Sequence, residues 1–122
     1  TPRATRHPHD FLKPPAIFSP MIHHLVLLRF KKASKKPDIQ RLFTELAGLQ
    51  QKIPGIVSFA GGPYSSPEGF NKGFTHGFAM QFKDAKSRDG YLPHPEHEKV
   101  KAKILALLEG GLDGGVAFDF EA

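Results

Sequence analysis

IHHLVLLRF, residues 22–30, is the stretch on which the fold turns. Successive strand side chains point to opposite sides, so Ile22, His24, Val26, Leu28 and Phe30 share one face and His23, Leu25, Leu27 and Arg29 the other. Both faces are largely apolar. A strand of this kind needs cover on two sides, which a lone antiparallel sheet with one wet face does not supply.

Downstream, KPDIQRLFTELAGLQQKI (residues 36–53) carries Ile39, Leu42, Phe43, Leu46, Leu49 and Ile53 at helical spacing, with Pro37 suited to the first turn. Pro54 and Gly55 end that helix. IVSFA (56–60) then reads as a short strand, and Gly61, Gly62 and Pro63 as the start of a turn; no helix follows them, so they are no phosphate cradle. FTHGFAMQF (74–82) alternates again, with Phe74, His76, Phe78, Met80 and Phe82 opposite Thr75, Gly77 and Ala79. A short helical segment in DAKSRDGYL, a longer helix from Glu96 to Leu108 and a closing strand in GGVAFDFEA complete the order β, α, β, β, α, β. That order predicts an α+β, ferredoxin-like fold, with two helices covering one face of a four-stranded antiparallel sheet. Leu25 and Leu27 then lie on the bare face. A second copy is the simplest cover, since each buried side chain of this size gains roughly 1.5–3 kcal/mol, and a homodimer joined sheet to sheet is expected.

The 122 residues suit one domain, expected over residues 21–122, preceded by a flexible, proline-rich arm over residues 1–20. Absence of cysteine excludes disulfides, thiolate metal sites and cysteine nucleophiles. No apolar run approaches the roughly 20 residues of a membrane span, so no membrane partner is expected and a cytoplasmic location is compatible. Of the net charge of +5, Arg3, Arg6 and Lys13 against Asp10 place +2 in the first twenty residues, which leaves +3 for the domain. Lys31, Lys32, Lys35 and Lys36 form a cluster without the exposed aromatics or docking motif of a nucleic-acid reader. They are read as a solvated loop, with no nucleic-acid partner.

GYLPHPEHEKV (90–100) concentrates the candidate chemistry. Pro95 is favoured at the first position of a helix, which makes His94 its cap and puts Glu96 and Glu98 in the first turn. His97, Val100, Ile104 and Leu107 form an inward stripe. In one straight helix Tyr91 and His97 would point about 120° apart. A break between Leu92 and Pro95 lets both face one cavity, where the positive helix end favours a neutral imidazole. His24 and His76, on the inward faces of their strands, are expected at the wall of the same pocket, although satisfied core histidines give the same pattern. The spacing of His76, His94 and His97 matches no metal signature, and no metal site is expected.

HHLVLLRF, IPGIVSFAGG, GFTHGFAMQF and YLPHPEH, in this order and spacing, resemble the stress-responsive dimeric α/β-barrel (Dabb) family over roughly residues 21–108. The resemblance implies ferredoxin-like subunits paired through their sheets. It also implies a tyrosine and a histidine acting without a cofactor as acid and base, as in the plant olivetolic acid cyclase, which closes a polyketide by aldol condensation. Those roles fall by motif on Tyr91 and His97, with His24 and His76 as pocket histidines. Leu42, Phe43, Leu46 and Ala47 would line the pocket from the helix, and Val26, Leu28, Val57, Phe59 and Phe78 from the sheet. The expected ligand is a small, largely apolar carbonyl compound, polyketide-like if the protein is a lyase or cyclase. The alternatives are a stress-response dimer that binds a ligand without turning it over, and a cofactor-free monooxygenase-like barrel.

Overall fold

The computed structural model describes residues 20–122. The arm expected over residues 1–20 thus lies, apart from Pro20, outside the described residues. Four strands, β1 (Ile22–Leu28), β2 (Ile56–Pro63), β3 (His76–Phe82) and β4 (Gly115–Glu121), form one antiparallel sheet in the order β2-β3-β1-β4. The helices are α1 (Lys36–Gly48), the short α2 (Ala85–Tyr91) and α3 (Pro95–Leu107). Among the described residues no helix is long and apolar enough to cross a membrane.

The alternation of β1 sorts as expected. Ile22, His24 and Leu28 are buried on the helix side, while Leu25 and Leu27 are exposed on the other. Leu42 and Leu46 of α1, Val100 and Ile104 of α3, and Phe78, Met80 and Phe82 of β3 fill the space between the layers. The closing strand adds to the unequal faces. Val116, Phe118 and Phe120 stand opposite Leu27, Leu25 and the half-buried His23 and are exposed on the same face, Phe118 to 63%.

Two boundaries differ from the sequence reading. The helix expected to run to Ile53 tightens into a 3-10 turn at Leu49–Gln51, whose Leu49 remains buried. Gly61, Gly62 and Pro63 belong to β2, paired with Phe78, Gly77 and His76, rather than to a turn. The pairing requires Gly61. A Cβ there would stand 2.7 Å from both the Phe43 ring and the Phe78 Cβ, so glycine lets α1 lie directly on the sheet. Pro63 is tolerated because β2 is an edge strand, where a missing N–H costs no ladder bond.

Candidate functional site

The joint between α2 and α3 is built as its prolines dictate. Tyr91 closes α2 and Pro95 opens α3. Between them His94 caps α3, its Nδ1 accepting the Glu96 backbone N–H at 3.1 Å. The turn brings the Tyr91 and His97 rings to 4.1 Å between centroids. Both line a hollow of about 260 Å³ between the α2–α3 joint, α3 and the β1–β4 side of the sheet.

His97 is held by its backbone. Its Nδ1 lies 2.8 Å from the Leu92 carbonyl oxygen, which can only accept, so Nδ1 carries the proton and Nε2 of the neutral ring keeps its lone pair. Burial, the largest cause, lowers the pKa of His97, and the Lys101 and His24 charges push the same way against the Leu92 bond and Glu98. The neutral ring expected from the helix end is thus favoured, chiefly by burial. Burial, joined by the Asp119 charge, pushes the Tyr91 phenol well above its ordinary value, keeping it protonated. Tyr91 is 1% exposed, yet among the described residues no sealed side-chain polar atom lacks a partner. Its hydroxyl bonds no described residue, and Tyr91 is one of the residues that line the hollow.

The sequence reading missed a third component. His24 Nδ1 lies 2.5 Å from Asp119 Oδ1, and Arg88 donates to Asp119 Oδ2 at 2.9 Å. Burial alone would raise the Asp119 carboxyl, but the hydrogen bonds from His24 and Arg88 bring it below its ordinary value. His24 and Asp119 are directly paired across β1 and β4, and the His24 ring meets Tyr91 edge-on at 6.0 Å between centroids. The signal was present in AFDFEA. With Phe118 and Phe120 on the outer face, alternation puts Asp119 inside.

Of the sequence candidates, the structure gathers His24, Val26, Leu28, Leu46, Phe78, Tyr91 and His97 around this hollow. His76 and Phe43 lie instead on a separate, larger hollow of about 630 Å³ between α1 and the end of β2. Phe59 packs between Phe43 and Phe78, at 6.5 and 5.5 Å between ring centroids, and stands within the partition. Val57, 45% exposed, and Ala47, also exposed, line neither. The register shift between Ile56 and Ser58 makes Val57 the extra residue of a bulge. Ala47 lies on the solvent side of α1. Leu42 is core.

The model of the stress-responsive A/B barrel domain, Dabb, matches residues 22–122. Among solved structures, a dimeric ferredoxin-like protein of unknown function from Jannaschia sp. CCS1 is similar with a TM-score of 0.77 and 29% identity, over 84% of this chain and 99% of its own. An Arabidopsis thaliana protein matches with a TM-score of 0.75 and 26% identity, over 83% of this chain and 94% of its own. The hydroxynitrile lyase of Passiflora edulis, TM-score 0.75, shares the fold at 18% identity over 84% of this chain and 93% of its own. No curated protein gives a significant match.

Proposed function

The chain belongs to the stress-responsive A/B barrel (Dabb) family, and within it we propose that the Tyr91–His97 hollow binds a small, largely apolar carbonyl compound and moves a proton at the carbon beside that carbonyl. The observation that carries this reading is the pairing of a protonated phenol with a neutral imidazole whose Nε2 bonds no described residue, 4.1 Å apart by ring centroid on one apolar wall. In the proposed step His97 Nε2 takes the proton from carbon. The C–H electron pair becomes the C=C bond of an enolate, and the carbonyl pair moves onto oxygen, where the Tyr91 hydroxyl donates a hydrogen bond. The imidazolium then returns the proton to carbon, or the enolate carbon attacks a second carbonyl of the same ligand, whose C=O π pair moves onto its oxygen and takes the proton from the imidazolium. Ring closure by that bond is the cyclase form, and its reversal the cleaving, lyase form. His24, anchored by Asp119, offers its other ring nitrogen to the same hollow.

The test is exchange of the ketone-side methylene protons of β-benzoylpropanoate with deuterated solvent, followed by NMR. Wild type accelerates exchange, and His97→Ala and Tyr91→Phe each lose about 10²-fold or more. Equal rates for all three proteins would reject the roles assigned to both residues.

The outer sheet face supports a homodimer of the kind expected from the sequence. Leu25, Leu27, Val116, Phe118 and Phe120 form one exposed apolar patch, and leaving such a patch in water is costly. A hydrodynamic mass of twice the 13.5 kDa chain is expected, falling to the single-chain value in Leu25→Asp. A wild-type monomer at micromolar concentration would refute the pairing.

A further inference from the structure

The wall of the Tyr91–His97 hollow has an unbalanced charge. Its floor is aliphatic and aromatic, with Val26, Leu46, Phe78 and Ile104, and the exposed Leu92 and Leu112 form apolar lips at its rim. Among the described residues no aspartate or glutamate lines it, and Lys101 is its one lysine or arginine. Lys101 lies four residues beyond His97 on α3, hence one turn along the same face.

The other lysines in the middle of α3 are occupied. Lys99 Nζ lies 3.7 Å from Glu96 Oε1, and Lys103 Nζ lies 2.6 Å from Glu45 Oε1. Lys101 forms no ion pair with any described residue. Acids do stand nearby, but among the described residues none lies within ion-pair distance of Lys101. Glu98 Oε1 lies 3.7 Å from the Nδ1 side of His97, and Asp119 is held between His24 and Arg88. A ligand in the hollow would therefore meet two neutral proton-transfer groups and, at its edge, one unneutralised cation.

We infer that Lys101 selects a carbonyl compound bearing a carboxylate, with the ketone carbonyl against Tyr91 and His97 and the carboxylate at the rim. The inference rests on the reading of this hollow as the ligand site. It specifies a keto acid rather than a neutral ketone. The Lys101 charge also helps to keep His97 unprotonated, so the residue that receives the anion assists the base.

Calorimetric titration with β-benzoylpropanoate and with its methyl ester separates charge from shape. Wild type binds the acid about fivefold more tightly than the ester, the size of one partly solvated ion pair, and added salt narrows the gap. Lys101→Met loses the preference, Lys101→Arg keeps it, and Lys99→Met, which alters an exposed lysine outside the hollow, leaves it intact. Equal affinity for acid and ester in wild type, persistence of the preference in Lys101→Met, or binding of neither compound overturns the inference. If the preference follows Lys101 while proton exchange is not accelerated, the catalytic reading falls and this one stands. Accelerated exchange without any preference gives the reverse.

Discussion

Two hollows in this subunit each carry a histidine whose pKa is lowered by burial, and they differ in what surrounds the ring. His97 faces the phenol of Tyr91, is fixed through Nδ1 by the Leu92 carbonyl, and shares its wall with a second histidine anchored on a carboxylate. His76 has Nδ1 2.9 Å from its neighbour Thr75 Oγ1 and is otherwise packed by rings, with Phe30 at 5.0 Å and Phe43 at 5.7 Å between centroids. The difference teaches that a shifted imidazole does not by itself make a reactive site. Moving a proton from carbon leaves charge on oxygen, and a second group has to meet that charge. The first hollow sets Tyr91 directly against its histidine; the second has Ser34, Lys36, Gln40 and Thr44 in its lining, but the rings packed on His76 are those of Phe30 and Phe43.

Mutation of the two histidines in parallel breaks or sharpens this contrast most strongly. His97→Ala is expected to lower the proton-exchange rate by about 10²–10⁴, the usual contribution of a positioned general base. His76→Ala should leave the rate unchanged, because Phe43, Phe59 and Phe78 stand between its ring and the ligand. Comparable losses in both variants would mean that the hollows open into one another when a ligand binds, and the contrast would fail.

The architecture was legible because β1 and β3 alternate cleanly and α1 keeps its helical spacing, so each apolar side chain names its own face. The joint was legible because proline admits few backbone positions, and Pro95 could only begin a helix. What escaped depends on pairing between distant strands. Asp119 meets His24 only because β4 lies beside β1, 95 residues away in sequence. Separation of His76 from the Tyr91–His97 hollow depends on ring positions that alternation does not specify. Val57 was misplaced because a bulge of one residue reverses the face of everything before it.

Gly61 tests the partition from the other side. It lines the His76 hollow, and behind it lie Phe43 and Phe78, the latter shared with the Tyr91–His97 hollow. In Gly61→Ala the new methyl would meet the Phe78 Cβ at 2.7 Å and the Gly77 carbonyl oxygen at 3.0 Å, neither of which is the loose end of a flexible side chain. A loss of about 1–3 kcal/mol in unfolding free energy is expected, read from a denaturant midpoint. Unchanged stability would show that α1 and the sheet can separate without cost, and hence that the wall between the hollows is soft.

The smallest effect is the one in which the two histidines should behave alike. Both have folded-state values below the ordinary imidazole value of 6.5, so between those values and 6.5 the unfolded chain holds more protons than the folded one. Stability then rises with pH across that interval and is lost as pH falls through it, levelling once both states are protonated. Asp84 and Asp119, whose values lie below the ordinary carboxylate value, contribute stability of the same sign, which is lost as pH falls further into the acid range. Replacing His97 and His76 together by glutamine should flatten the slope of unfolding free energy against pH just below 6.5 relative to wild type. Each single variant should remove part of it. The hollows would then differ in chemistry while sharing a common cost of burial, and a double variant that kept the full wild-type slope would show that neither ring is held neutral by its surroundings.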